Sequence, residues 1–190
     1  WSSDVCSSDL DTWTALDNSP QGFSEVISSG VYDVESDKVI FVTYNGSSGG
    51  IPKVFDYNDQ NWEQMENPIG GFGSNRATGA YDIESDRSIF FAPSGSNWTN
   101  TKTYDYNTDT WETDGANLEV GTYFSWSTAS YDIESDKVIF VKYSGNAYAT
   151  VYAYDYNTNT WEEKESVGPG IDEYWGTSAY DPISDRVILI

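Results

Sequence analysis

The sequence predicts an all-β protein built from a repeated four-stranded antiparallel unit of 49–50 residues. Three observations support this prediction. Two independent residue markers recur with the same period, strand-like segments alternate with short polar turns, and no long window shows the 3.6-residue periodicity of a helix. Aromatic residues make up 16% of the chain, which also favours sheets because flat rings pack well on pleated surfaces.

The two markers are a Tyr-Asp pair and a Trp. The pairs are spaced by 49, 50 and 49 residues: Tyr32-Asp33, Tyr81-Asp82, Tyr131-Asp132 and Tyr180-Asp181. The Trp residues are spaced by 49, 49 and 50 residues: Trp13, Trp62, Trp111 and Trp161. A fixed period of this length is typical of stacked units that bury their apolar faces against one another. We therefore interpret both markers as structural residues that pack the units together.

The third unit illustrates the predicted strands. The first covers residues 127–132, the second 137–143, the third 150–156 and the fourth 160–164, with polar turns at 133–136 and 157–159. The second strand, KVIFVKY, is apolar at consecutive positions, so both of its faces should be covered. Four-stranded sheets stacked face to face around an axis meet this requirement. The sequence therefore predicts a β-propeller with about 3.5–4 blades in this chain.

The turn between the first two strands of each unit reads ESDK, ESDR, ESDK or ISDR. Asp and Ser side chains in such turns can accept hydrogen bonds from nearby backbone N–H groups. Pro182 follows Asp181, where its fixed φ suits the second position of a type I turn. Calcium binding by these carboxylates is an alternative because hard cations prefer clustered oxygens, but the spacing matches no EF-hand loop. We expect no cofactor and no metal site.

An aromatic-Asp pair precedes each later Trp by a short turn. These segments are Phe55-Asp56 to Trp62, Tyr104-Asp105 to Trp111 and Tyr154-Asp155 to Trp161. Together with the YDxxSD(K/R)VI opening, this arrangement resembles the kelch-like repeats of bacterial and archaeal β-propellers over residues 11–190. The resemblance implies a propeller of four-stranded blades.

One feature departs from that pattern. The kelch repeat has two adjacent Gly after its second strand, where this chain has Thr43-Tyr44, Ala92-Pro93 and Lys142-Tyr143. The sialidase-type Asp-box propeller is therefore a second interpretation. The turns YNDQNW, YNTDTW and YNTNTW lack the Gly that the Asp-box requires before its Trp.

Residues 1–10, WSSDVCSSDL, lack the repeat and contain the only Cys of the chain. The string is typical of translated sequencing-adapter DNA, so we predict that this segment is non-native. Residues 11–190 are then expected to form a single propeller fragment, which would pack against the missing blades of its own full-length chain. This stretch has no His and no Cys, which excludes disulfides and histidine-based chemistry within it.

The formal net charge is −22, with 31 acidic residues against 9 basic ones. A phosphate backbone would be repelled, so we do not expect nucleic-acid binding. No apolar run is long enough for a membrane helix, and we expect no membrane insertion. Strong acidity combined with many Ser, Thr, Asn and Gly residues favours an extracellular or cell-surface setting, or a salt-adapted protein.

Function is expected where the units differ from one another. The connections from the second to the third strand, and from the fourth strand to the next unit, vary and are rich in aromatic residues and Gly. In a propeller both connections open on the same face. Six residues there are candidates for a contact surface: Trp126, Trp175, Tyr174, Phe124, Trp98 and Arg76.

The sequence favours a non-catalytic binding or scaffold module that presents this aromatic and acidic face to a protein or carbohydrate partner. Aromatic platforms with carboxylates suit sugar rings and cations. The alternative is a propeller-based carbohydrate-active enzyme, a glycosidase or lyase, which would need two carboxylates at a defined separation. Acids are available for such a pair at Glu25, Glu119, Asp172 and Glu173. No catalytic residue is assigned, because the sequence does not pair them.

Overall fold

The computed structural model describes residues 26–44, 50–68, 77–94, 98–119, 127–143, 149–166 and 176–190. Within these ranges the chain forms fourteen β-strands and no helix. The strands are β1 (Val26–Asp33), β2 (Lys38–Tyr44), β3 (Pro52–Asp56), β4 (Asn61–Gln64), β5 (Thr78–Asp82), β6 (Arg87–Ser94), β7 (Trp98–Asp105), β8 (Thr110–Glu119), β9 (Ser127–Asp132), β10 (Lys137–Tyr143), β11 (Ala149–Asp155), β12 (Thr160–Glu163), β13 (Ser178–Asp181) and β14 (Arg186–Leu189). The part of the chain described contains no helix that could cross a membrane.

Consecutive strands pair in antiparallel fashion into three four-stranded sheets and one two-stranded sheet. The first sheet contains β1–β4, the second β5–β8, the third β9–β12, and the fourth β13 and β14. The predicted all-β class and the four-stranded repeat are therefore confirmed. In the third sheet the third strand covers 149–155 rather than 150–156, and the fourth ends at Glu163 rather than Lys164. The chain turns directly after Asp155 because its carboxylate accepts the backbone N–H of Thr158.

Successive sheets pack face to face and share their apolar cores. The first strands of the four sheets, β1, β5, β9 and β13, are neighbours in this order. Strand β6 shows how both faces of a sheet are covered. Phe90 and Ala92 belong to the core shared with the first sheet, whereas Ile89 and Phe91 belong to the core shared with the third. All four side chains are fully buried, which explains the run of consecutive apolar residues.

Small residues on the first strands allow the rings of the second strands to lie against the backbone. Gly30 is opposite Phe41 in the register, and Gly79 is opposite Phe90. A Cβ atom at Gly79 would lie 2.6 Å from Cδ1 of Phe90 and 2.8 Å from the carbonyl oxygen of Ile89. A side chain at either position would collide with the ring opposite, so this register requires Gly there.

The antiparallel pairing gives each sheet two different edges. Among the described residues, seven four-residue turns lie at one edge, which we call the turn edge, at residues 34–37, 57–60, 83–86, 106–109, 133–136, 156–159 and 182–185. The opposite edge, which we call the loop edge, contains the starts of the odd-numbered strands and the ends of the even-numbered ones. The longer and variable connections of the sequence leave from the loop edge.

Candidate functional site

The Asp of each Tyr-Asp pair caps the turn that follows it. Oδ1 of Asp33 accepts the backbone N–H groups of Glu35 and Ser36 at 3.0 and 3.1 Å. The same two bonds recur after Asp82, Asp132 and Asp181. These carboxylates satisfy backbone donors that the tight turn would otherwise leave without a protein partner. The geometry thus gives the repeated Asp a role in turn formation.

Each turn ends in a residue with a positive φ, between 51° and 57°, and these residues are Asp37, Gln60, Asp86, Asp109, Asp136, Asn159 and Asp185. Asp and Asn tolerate this left-handed conformation better than most residues. Their side chains also accept a hydrogen bond from the Tyr five residues earlier, as in Tyr81 to Asp86 at 2.7 Å. Burial and the bond to Asp86 both raise the pKa of Tyr81 above its ordinary value.

Further contacts connect the two turns of each sheet. The side-chain amide of Asn107 donates to Oδ2 of Asp86 at 2.8 Å, and Arg87 pairs with Asp105 at 3.2 Å. The first sheet has the equivalent ion pair between Lys38 and Asp56. The hydrogen bond from Lys38 lowers the pKa of Asp56 and holds it as a carboxylate. The aspartates of these turns are therefore used in turn geometry and ion pairs.

Two of the repeated Trp residues, Trp111 and Trp161, connect neighbouring sheets. The indole N–H of Trp111 donates to the carbonyl oxygen of Asn67, which follows the first sheet, at 3.0 Å. Trp161 of the third sheet donates in the same way to the carbonyl oxygen of Ala116 in the second sheet, at 2.8 Å. Each indole ring also packs against a Tyr of its own sheet, with centroids 4.6 Å apart for Tyr104 and Trp111. Each of these two Trp side chains therefore contacts both its own sheet and the preceding one.

No group of three or more His, Cys, Asp or Glu side chains is placed to hold a metal ion among the described residues.

The loop edge has one projecting element in the described ranges. Strand β8 contains ten residues, whereas the equivalent β4 and β12 contain four each. Strand β7 contains eight residues, compared with five in β3 and seven in β11. Thr99 and Thr101 anchor the extension, since their hydroxyls donate to the carbonyl oxygens of Ala92 and Ala116 at 3.2 and 2.7 Å. The projecting pair of strands is therefore held by side-chain as well as backbone bonds.

Trp98 lies at the tip of this extension. It is the first residue of β7 and is opposite Ser94 on one side and Glu119 on the other. Its side chain is 47% exposed, although exposing an indole to water is unfavourable. The carboxylate of Glu119 belongs to an exposed residue on the neighbouring strand. An exposed ring next to a carboxylate, on a strand with fixed pairing, is an arrangement suited to binding.

The other predicted contact residues, Arg76, Phe124, Trp126, Tyr174 and Trp175, lie outside the described residues, as does Trp13. In the sequence, three of them come directly before a described segment that begins at the loop edge. Trp126 precedes Ser127, which begins β9, while Arg76 and Trp175 precede Ala77 and Gly176. Of the four acids considered for catalysis, only Glu119 falls within the described ranges.

A second feature was missed by the sequence interpretation. The first strands line a cavity of about 500 Å³, which extends to the turn edge. Aliphatic side chains at Val34, Ile83 and Ile133 border it there. The signal was present in the sequence, since an aliphatic residue follows each of the first three Tyr-Asp pairs. The sequence alone does not bring these residues together, because their proximity depends on the order of the first strands in space.

Comparisons with known proteins support the architecture. No protein-family model matches the chain, and no curated protein matches it. Among solved structures, TolB from Acinetobacter baumannii superposes with a TM-score of 0.53 at 14% identity over 87% of this chain. The SapL1 lectin in complex with α-methyl fucoside gives 0.60 at 11% identity over 86%. A prolyl endopeptidase gives 0.50 at 14% identity over 90%.

The chain spans 37% of the TolB chain, 56% of the lectin and 26% of the prolyl endopeptidase. Identities of 11–14% establish a similarity of fold only. These neighbours are β-propeller proteins. The four sheets described above pack face to face with their first strands as neighbours, as the blades of a propeller do. The chain is therefore similar to part of a β-propeller.

Proposed function

We propose that this chain is a non-catalytic carbohydrate-binding module of a kelch-like β-propeller protein, and that the loop edge is its binding face. The observation that carries the proposal is the position of Trp98. Its indole is exposed at the tip of a projecting pair of strands, in register with Glu119.

The chemistry of this pair suits a sugar. The face of an indole ring carries partial negative charge and attracts the polarised C–H groups on one side of a pyranose ring. A neighbouring carboxylate can accept hydrogen bonds from the sugar hydroxyls, and such charge-assisted bonds are stronger than neutral ones. Trp98 would supply the aromatic face, and Glu119 would supply the carboxylate.

The strands that contain Trp98 and Glu119 are firmly held, which favours ligand binding. Thr99 and Thr101 fix β7 to its neighbours through side-chain bonds to backbone carbonyls, so little ordering is needed when a ligand binds. Trp126, Trp175, Tyr174, Phe124 and Arg76 are proposed to extend the face, because they lie in the same class of variable connection. The lectin among the structural neighbours was solved with a methyl glycoside, which gives a suitable first probe.

The proposed setting is the cell exterior. The net charge of −22 keeps the surface hydrated and is consistent with a glycan-rich environment outside the cell. The kelch-like assignment is based on the aromatic-Asp to Trp spacing of residues 55–62, 104–111 and 154–161.

The test is a titration of the protein with a panel of methyl glycosides, beginning with α-methyl fucoside, by isothermal calorimetry. We expect at least one glycoside to bind, and the variant Trp98→Ala to weaken that binding by at least about tenfold. Tyr57→Ala is the matched control, because Tyr57 is another aromatic side chain with 47% exposure but lies at the turn edge.

The proposal would be rejected if no glycoside bound, or if Trp98→Ala and Tyr57→Ala weakened binding equally. Capture of a protein partner that requires Trp98, without any glycoside binding, would show that the same edge recognises protein instead.

A further inference from the structure

Aliphatic side chains recur at the turn edge directly after the Tyr-Asp pairs. Val34, Ile83 and Ile133 are 50%, 44% and 49% exposed. In the fourth sheet Pro182 takes the first turn position, and Ile183 follows one residue later with 96% exposure. Nine large hydrophobic side chains are exposed among the described residues, and four of them are these turn residues. Exposed apolar residues that recur at equivalent positions, rather than being scattered singly, indicate an interaction surface.

Three of these four side chains border one cavity, and Ile183 is not among its lining residues. The first strands of all four sheets line it, and Val34, Ile83 and Ile133 form part of its border. Its volume of about 500 Å³ lies within the range of roughly 300–1,000 Å³ that is usual for ligand pockets. Small residues, Gly30, Gly79 and Ala129, form part of the wall, and the Tyr of each of the four Tyr-Asp pairs also lines it.

Three of the aliphatic residues that border the cavity are each followed in the sequence by a glutamate. Glu35, Glu84 and Glu134 each occupy the next position of the turn and are exposed. The basic residues that follow these turns are directed elsewhere in the described structure: Lys38 pairs with Asp56, Arg87 with Asp105 and Lys137 with Asp155. None of the ion pairs found in the described ranges includes the three glutamates. An apolar border is thus combined with negative charge.

We propose that the turn edge is a second binding site, for an extended segment of a partner protein. The segment inserts an aliphatic or aromatic side chain between Val34, Ile83 and Ile133 and places Lys or Arg side chains opposite Glu35, Glu84 and Glu134. Charge complementarity selects this occupant, because an anionic membrane surface or an acidic peptide would be repelled by the carboxylates. The site is separate from the loop edge and does not depend on the proposed carbohydrate binding.

The probe for this site is a phage-displayed library of random linear dodecapeptides, selected on the immobilised full chain. We expect enriched peptides to contain an aliphatic or aromatic residue flanked by Lys or Arg. Their affinity should fall with added salt, since exposed charge pairs are screened.

Two triple variants test the aliphatic and the acidic residues of the site separately. Val34→Thr/Ile83→Thr/Ile133→Thr keeps the branched shape but removes apolar surface, and Glu35→Gln/Glu84→Gln/Glu134→Gln removes the charge. Each should weaken binding of the enriched peptides by at least about tenfold. The control Glu66→Gln/Glu163→Gln/Glu165→Gln makes the same change in charge at exposed positions outside these turns and should leave affinity unchanged.

Circular dichroism and the thermal midpoint establish that each variant is folded, because all six positions are on turns. If a triple variant fails to fold, the single variants Ile83→Thr and Glu84→Gln replace it, each with an expected loss of about threefold.

The proposal is overturned if the library shows no enrichment, if the enriched peptides are acidic, or if the charge control weakens binding as much as the turn variants. It is also overturned if Trp98→Ala abolishes peptide binding, since the loop edge would then be the site. Sedimentation with phosphatidylcholine vesicles that requires Val34, Ile83 and Ile133, in the absence of peptide binding, would identify a lipid surface instead.

Discussion

The hydroxyl of Tyr104 donates a hydrogen bond to Oδ1 of Asp109 over 2.8 Å, and Asp109 has a φ of 52°. The third sheet repeats the relationship with Tyr154 and Asn159, at 2.9 Å and 53°. In the first sheet the aromatic residue is Phe55, which has no hydroxyl, and the equivalent position is Gln60. The residue at the end of the turn is thus selected both by its backbone conformation and by the donor five residues earlier.

Substitutions of Asp109 should separate these two requirements. Asp109→Ala removes the acceptor of the buried Tyr104 hydroxyl and of the Glu66 amide, and it places Ala at a positive φ. We expect a loss of about 3 kcal/mol in the free energy of unfolding, measured by urea denaturation.

Asp109→Asn is the matched control. It keeps an acceptor and tolerates the left-handed conformation, as Asn159 does in the third sheet. We expect a loss below about 1 kcal/mol. Equal losses for Ala and Asn would show that the side-chain acceptor has no role at this turn.

Trp161 should be important for stability through its contact with the preceding sheet. Trp161→Phe removes the indole N–H that donates to the carbonyl oxygen of Ala116, and it reduces the ring that packs 5.0 Å from Phe91. We expect urea denaturation to show a loss of about 2–3 kcal/mol. The same change at the exposed Trp98 should cost less than about 0.5 kcal/mol. If both variants lost the same stability, the repeated Trp would not connect the sheets.

The sequence was sufficient for the repeat and its strands but not for the contacts between repeats. The spacing of Trp111 and Trp161 predicted stacked units, because a regular period implies equivalent positions. The acceptor of the Trp161 indole is Ala116, 45 residues earlier, and only the packing of two sheets shows this pairing.

The positions of the candidate binding residues could also be predicted only in part from the sequence. Trp98 has a defined position because it is paired within β7, whereas the variable connections have no register from which the places of Phe124 or Tyr174 follow. The aliphatic residues Val34, Ile83 and Ile133 were visible in the sequence. That they border one cavity depends on the order of the first strands in space.

Stability should fall in strong acid. The hydrogen bond from Tyr32 lowers the pKa of Asp37, and that from Ser184 lowers the pKa of Asp181, below the ordinary value of 3.8. A lowered folded-state pKa means that the stabilisation is present above pH 3.8 and is lost as the pH falls through the folded-state pKa below it. Mild acidification also reduces the repulsion of the −22 charge, so we expect the highest thermal midpoint in the mildly acidic range.

The variant Tyr32→Phe provides the control for this pH dependence. It removes the donor to Asp37, so its thermal midpoint should be below that of the unmodified protein at neutral pH. The difference should shrink as Asp37 is protonated in acid. A difference that stays constant over the whole range would contradict the assignment of this effect to the carboxylate.

Alkaline conditions should unfold the protein together with ionisation of its buried tyrosines. Burial, followed by the bonds to Asp109 and Asp136, raises the pKa of Tyr104 and Tyr131 above the ordinary value of 10.0. The stabilisation is therefore complete below pH 10.0 and is lost as the pH rises above it. We expect part of the tyrosinate absorbance to appear only when the circular dichroism of the sheets is lost. Full ionisation with the sheets intact would be inconsistent with these burial contacts.

The central claim is that repeated Trp residues build the propeller while a non-repeated Trp at the loop edge binds the ligand. The most direct test is the ¹H–¹⁵N spectrum of the indole groups of the eight Trp residues during titration with the glycoside that binds. We predict that Trp98 shifts with ligand, while Trp111 and Trp161 exchange slowly with solvent and keep their positions. Ligand-dependent shifts at Trp111 and Trp161 with none at Trp98 would contradict the claim.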